Sequence, residues 1–169
     1  MQTSFILSKQ EGRLLKPYIV LGMPIHLKVS GSDTNGQLSV FVSEHNKNQG
    51  PPLHIHDSDE TCYVIEGEFI FQMGDTKVSA VPGDILFVPR NMPHAFLATS
   101  QKGSLVCILN PAGNVEKLFE KLSLYHEMPP VEEITRVHEE LGLKIVGPPL
   151  FAATSVRTQP PLNSTTKTK

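Results

Sequence analysis

The sequence predicts a mainly all-β protein, a sandwich or closed barrel followed by two short C-terminal helices. From about residue 17 to residue 110, short segments alternate apolar and polar side chains and are separated by Gly, Asp, Asn and Pro. After Pro111 the apolar period lengthens to that of a helix. The 169 residues suit one domain, since a core of this size buries roughly 70% of the unfolded surface.

Alternation places strands at residues 25–29, 38–43, 53–56, 60–65, 68–73, 76–81, 84–88, 94–98 and 105–110. Gly74-Asp75 and Pro82-Gly83 fall between alternating runs, where hairpin turns belong. Val115, Leu118, Phe119 and Leu122 then recur at helical spacing behind Asn114, a residue type suited to an N-cap. Val131, Ile134, Val137 and Leu141 mark a second helix, with Pro129 and Pro130 at its start and Gly142 where a C-terminal cap belongs. The chain thus divides into an N-terminal segment (1–16), a β-barrel (17–110), a helical segment (111–150) covering one end or flank, and a tail (151–169). The tail has almost no apolar side chains to offset the entropy of ordering it.

Charge excludes one class of partner. Fifteen basic and 17 acidic residues give a net charge of -2 and no basic stripe that could neutralise a phosphate backbone, so nucleic acid is not expected. The later helices carry the acidic pairs Glu132-Glu133 and Glu139-Glu140, which would repel phosphate. No apolar run approaches the roughly 20 residues a bilayer requires, and charges at Lys9, Glu11, Arg13 and Lys16 interrupt what a signal peptide would need. Cys62 and Cys107 each lie inside an apolar strand and read as reduced core residues. These features point to a cytoplasmic protein without membrane association.

One constellation carries chemistry. His54 and His56 are two apart on an extended segment, so their imidazoles share a face. After the turn-like Asp57-Ser58-Asp59, Glu60 opens a strand whose alternation groups it with Cys62 and Val64 and turns Tyr63 outward. Further on, Pro89 ends a strand, a turn runs through Arg90 to Pro93, and His94 opens the next strand. Three imidazoles and a carboxylate suit one divalent transition metal (Fe, Mn, Ni, Co, Cu or Zn) and not Ca or Mg, which prefer oxygen shells.

These residues resemble the two motifs of the cupin superfamily. In the first, His54-x-His56, three residues, Glu60, six residues and Gly67 match, while Gly50 stands three residues before His54 where the motif has five. In the second, Gly83, Pro89 and His94 match; Asn91 replaces the inner glycine and Ala98 the final asparagine. Asparagine is the next best residue for a positive φ, and neither change removes a ligand. Fifteen residues separate Gly67 from Gly83, as in compact single-domain bacterial cupins. The resemblance implies a double-stranded β-helix, or jelly roll, with a metal on His54, His56, Glu60 and His94. The remaining histidines, His26, His45, His126 and His138, fall outside the motifs and read as surface or packing residues.

Cupins host many reactions, so the pocket lining must discriminate. Alternation puts Phe96 and Ala98 with His94, and Phe69, Phe71 and Met73 on a nearby apolar face; only Lys77 and Arg90 supply cations near the motifs. An apolar, partly aromatic wall suits an aromatic or enol- or phenol-type small molecule, with Phe96, Phe71 and Cys62 as candidate substrate contacts. The sequence also resembles single-domain bacterial quercetin 2,3-dioxygenases through Asp59-Glu60, Tyr63-Val64, Glu66-Gly67-Glu68, Gly83-Asp84, Phe87-Val88-Pro89-Arg90, His94 and Pro111-Ala112-Gly113 with Leu118-Phe119. That implies a metal-dependent dioxygenase in which Glu60 serves as ligand and catalytic base. Two alternatives remain: a non-catalytic metal- or ligand-binding cupin, and a metal-dependent isomerase or hydrolase of a polar substrate. Apolar residues on both faces of strands such as 61–65 suit a homodimer interface.

Overall fold

The computed structural model describes residues 3–151. In chain order its strands are β1 (Tyr18–Val20), β2 (Met23–Val29), β3 (Ser39–Asn46), β4 (Pro52–Ile55), β5 (Asp59–Glu66), β6 (Phe69–Met73), β7 (Thr76–Ala80), β8 (Ile85–Val88), β9 (His94–Ala98), β10 (Lys102–Asn110) and β11 (Lys144–Pro149). Helices α1 (Val115–Leu122) and α2 (Val131–Glu140) separate β10 from β11. The strands form two antiparallel sheets, ordered β1-β2-β3-β10-β5-β8 and β11-β4-β9-β6-β7. The interleaving of early and late strands is the jelly-roll pattern, and all nine strands expected from alternation are present.

Two strands lie outside that reading. β1 is three residues long, too short a run to alternate, and is followed by Leu21, whose φ of 51° and following glycine turn the chain straight back into β2. β11 reads as a breaker-rich Ile-Val-Gly-Pro-Pro segment, yet it pairs with β4 along the sheet edge, with register shifts around Gly147. Prolines are tolerated there because an edge strand needs ladder donors on one side only. The segment expected to be helical between residues 111 and 150 therefore also returns a strand to the barrel. Residues 152–169, most of the expected tail, lie outside the described residues.

The helices occupy their expected positions, with one correction. Asn114 precedes α1 but its side chain does not cap it; Nδ2 donates to the Leu141 carbonyl at 3.1 Å, tying α1 to the end of α2. Gly142 has φ +78° and follows α2, where its N–H and that of Leu143 reach back to the Glu139 and His138 carbonyls. The apolar faces of both helices join Tyr18, Val20, Ile25, Leu27, Phe41 and Leu109 in one core cluster. A second cluster includes Cys62, Val64, Phe69, Phe71 and Leu105, and a third gathers Ile70, Ala95, Leu97 and Leu150. The pocket lies against the first cluster and touches the second through Phe96 and Cys107. Among the described residues, no helix is long and apolar enough to cross a membrane.

Candidate metal centre

Three strands deliver the donors. His54 lies on β4, His56 follows its end, Glu60 is near the start of β5, and His94 opens β9 directly across from His54. The ligand atoms of these four residues all lie within 4.8 Å of one another. His56, Glu60 and His94 are buried and His54 is half-buried.

The turn that presents His94 is built by local chemistry. Asn91 adopts φ +64°, the left-handed conformation that asparagine tolerates, and its N–H donates to the His56 carbonyl at 2.8 Å. Arg90 donates from Nη2 and from its backbone N–H to the Asp59 carboxylate, both at 2.8 Å. These hydrogen bonds with Arg90 hold the Asp59 carboxyl down, at about 2, so the tie is ionic at any ordinary pH. Arg90 is thereby engaged at the surface, and it does not line the pocket.

Hydrogen bonds on the far side of two rings select their tautomers. His54 Nδ1 donates to the Pro52 carbonyl and His94 Nδ1 to the Met92 carbonyl, each at 2.8 Å, so both present an Nε2 lone pair to the cluster. Yet Glu60 Oε2, itself an acceptor, lies 3.2 Å from His94 Nε2 and 3.0 Å from His56 Nε2. A shared proton, held by His56 or His94, or a cation at the centre would relieve this gathering of acceptors. Burial pushes the His94 imidazole down, but the Glu60 carboxylate overrides it and holds the group above its ordinary value. Burial likewise pushes the Glu60 carboxyl up, and its hydrogen bonds with His56 and His94 overcome this and hold it well below the usual range. Burial first and the neighbouring His94 second drive His54 down to about 3, leaving it a neutral donor. A proton on His94 would satisfy Glu60 alone; a divalent ion would satisfy the carboxylate and every Nε2 lone pair together. The donor set fits a transition metal.

The cluster opens into a cavity of about 100 Å³ whose other lining is almost wholly apolar, including Met23, Phe41, Phe96, Leu109, Leu118 and Phe119. Of the three expected substrate contacts, Phe96 lines this cavity. Phe71 and Cys62 instead pack into the second core cluster, 3% and 1% exposed, because alternation puts them inward where neighbouring strands already cover them. Cys62 still bears on the site, since its thiol donates to Glu60 Oε1 at 3.0 Å and faces Cys107 across the sheet at 3.3 Å. Both thiols are free. Tyr63 is exposed, as alternation requires.

The sequence reading missed much of the lining. Val20, Met23, Leu118, Phe119 and Leu122 reach the cavity from β1, β2 and α1, and the apolar stripe of α1 was a signal that an internal surface existed. Among the histidines outside the motifs, His126 is exposed and His26, His45 and His138 are buried. His45 and His138 line the cavity.

Comparison with known proteins agrees with this architecture. Residues 41–109 match the model of the cupin domain family. A curated acireductone dioxygenase from Heterostelium pallidum is 27% identical over 90 residues, covering 50% of this chain and 56% of the relative, so the likeness spans little more than half of that protein's length. A predicted oxalate decarboxylase from Thermotoga maritima superposes with a TM-score of 0.57 at 15% identity, covering 63% of this chain and 99% of its own. KdgF from Halomonas gives 0.55 at 16% identity, covering 68% and 98%. The polyketide cyclase RemF from Streptomyces resistomycificus gives 0.51 at 19% identity, covering 65% and 80%. These structures share the fold with this chain.

Proposed function

Since the chain belongs to the cupin superfamily, we propose that it is a metal-dependent dioxygenase acting on a small aromatic or enol- or phenol-type molecule. The observation that carries this reading is the donor cluster of His54, His56, Glu60 and His94 opening into an apolar cavity. The similar acireductone dioxygenase supports it, because a reductone is an enediol conjugated to a carbonyl, an enol-type substrate. The cavity of about 100 Å³ is smaller than the roughly 150 Å³ that takes up a benzene ring, so a compact enol, diketone or catechol would fill it and extend into its mouth, whereas a quercetinase-like flavonol far exceeds it. Among the described residues no Arg or Lys lines it, which favours a substrate without charge over the isomerase or hydrolase reading.

A divalent transition metal held by the four residues would supply Lewis acidity toward a substrate oxygen and, if redox-active, an electron path to dioxygen. The chain's own groups do the rest. Backbone carbonyls of Pro52 and Met92 keep the His54 and His94 rings oriented. Glu60, held ionised, accepts the substrate hydroxyl proton at Oε2 while Cys62 steadies Oε1. The apolar wall excludes water from the reacting end. The two free thiols fit a reducing, cytoplasmic compartment. Exposed Tyr63, Ile65, Ile85 and Phe87 on the outer face of β5 and the edge strand β8 are the surface we assign to a homodimer.

The test is elemental analysis of the purified protein, followed by oxygen uptake by its Fe, Mn, Ni and Co forms with catechol and pentane-2,4-dione. Metal-dependent oxygen consumption is expected, and Glu60→Gln should lower kcat by about 100-fold or more at equal metal content. Tight metal and ligand binding with no oxygen uptake in any form would move the protein to the non-catalytic reading.

A further inference from the structure

Strand β3 turns an inward row of Ser39, Phe41, Ser43 and His45 to the interior, all buried; the last three line the pocket, and Ser43 and His45 break the apolar rule of its wall. Ser43 and His45 line the same cavity as the metal donors. His45 is 3% exposed, its Nε2 lies 2.8 Å from Ser43 Oγ, and among the described residues no group hydrogen-bonds its Nδ1. Its ring is wedged edge-on against Phe69 and Phe96, at centroid distances of 5.7 and 5.0 Å, which leaves it one orientation. Phe96 in turn stands two residues beyond His94 on β9, so the wedge links the pair to the strand that bears a metal donor.

Such an arrangement is poor packing. An unsatisfied buried nitrogen destabilises a fold by about 1–3 kcal/mol, and a phenylalanine would fill the same space among the same aromatic rings without that loss. Burial also pushes His45 down to about 4, so the ring is neutral at physiological pH and offers a hydrogen bond without charge. The Ser43 hydroxyl carries one proton and two lone pairs; the bond to His45 uses one of these and leaves the others for a ligand. A polar, uncharged and rigidly held pair in an otherwise apolar cavity is the composition of a specificity element, in which a few placed polar groups orient a ligand that apolar contacts retain.

We propose that Ser43 and His45 form a recognition pair, in which Ser43 Oγ hydrogen-bonds an uncharged carbonyl or hydroxyl oxygen of the substrate remote from its metal-binding oxygens. His45 is the positioning residue that aims the Ser43 hydroxyl. The inference rests on the enol or phenol reading of the site and narrows it: the substrate class is a compact enediol or catechol bearing one further neutral oxygen. The substrate analogue lacking that oxygen is the one the pair rejects, since it would leave the hydroxyl unpaired.

The test is calorimetric titration of the zinc-loaded full-length protein with 3,4-dihydroxybenzaldehyde and 4-methylcatechol, which share a chelating end and differ in the remote oxygen. The readout is the ratio of the two affinities, which cancels any general change in metal or catechol binding. Wild-type protein should favour the aldehyde. Ser43→Ala and His45→Phe should each lower that ratio by about fivefold to tenfold, the worth of one neutral hydrogen bond. His45→Gln, whose amide reaches the position of Nε2, should keep it within about twofold. His45→Phe should also melt at a higher temperature than wild type, which shows that its lost discrimination is not lost folding. An unchanged ratio in both Ser43→Ala and His45→Phe overturns the recognition pair alone. Failure of the wild-type zinc form to bind either catechol overturns the enol or phenol reading, and the pair with it.

Discussion

The donor end of the cavity and its apolar wall are built by different means. At the donor end, residues 54 to 94 bring four ligand atoms within 4.8 Å, and the His54 and His94 rings are each fixed by a backbone carbonyl two residues away. The wall combines β1 and β2 with α1 and β3, from Val20 to Leu122, and is held by packing in the first core cluster. The difference teaches which property each half controls. Geometry at the donor end is over-determined by directional bonds, so it tolerates changes in the wall; shape and selectivity in the wall depend on non-directional contacts among distant segments.

Perturbing one half while reading the other tests this separation. The largest effect is expected from His94→Ala. Four-donor structural zinc sites in zinc-finger peptides bind with on the order of 10–16 kcal/mol; on that scale, loss of one donor here should lower zinc affinity by about 100- to 1,000-fold, read by competition with a chelator. The apolar wall should keep its thermal stability once both proteins are stripped of metal. Conversely, Leu118→Ala removes a buried side chain, 4% exposed, from the first core cluster. Urea unfolding should show a loss of about 2–4 kcal/mol with zinc affinity unchanged. A parallel fall in zinc affinity would show that the two halves are coupled.

The third prediction concerns pH and the wall. Unfolded, the His45 imidazole titrates near its ordinary 6.5; folded, burial lowers it to about 4. Between these values the unfolded chain binds the extra proton, so stability is fully present above about 6.5 and falls as the pH drops toward 4, by about 3 kcal/mol. His45→Phe should lack this part of the acid limb, and identical acid limbs in denaturant titrations of the two proteins would refute the assignment. The smallest effect on folding is expected outside both halves. Phe87→Lys on the exposed face of β8 should change stability by less than about 0.5 kcal/mol, yet abolish, in sedimentation analysis, the dimer proposed for the parent chain.

How much of this was legible depended on how local the determinant was. His54, His56, Glu60 and His94 could be grouped because strand alternation and a Pro-ended turn place each donor relative to its own neighbours. Asn91 could be assigned a positive φ from its residue type alone, and it has φ +64°. Phe71 and Cys62 could be assigned to the interior but not to the pocket, since alternation separates inside from outside and says nothing of which interior positions face a void. For the same reason His45 read as packing, although the structure sets it on the cavity wall. β1 and β11 escaped because a three-residue strand and a proline-containing edge strand lack a period, and their pairing is settled by their partners.

By itself, the sequence determined the fold class, the order of nine strands and two helices, and the grouping of His54, His56, Glu60 and His94. Each of these follows from periodicities and turn chemistry that act within a few residues. Only the tertiary structure decided that α1 and β1 complete the pocket, that the cavity is small and mostly apolar away from the donor cluster, and that Ser43 and His45 interrupt its wall. A void is bounded by side chains from segments far apart in the chain, so its size and lining exist only once packing has brought those segments together.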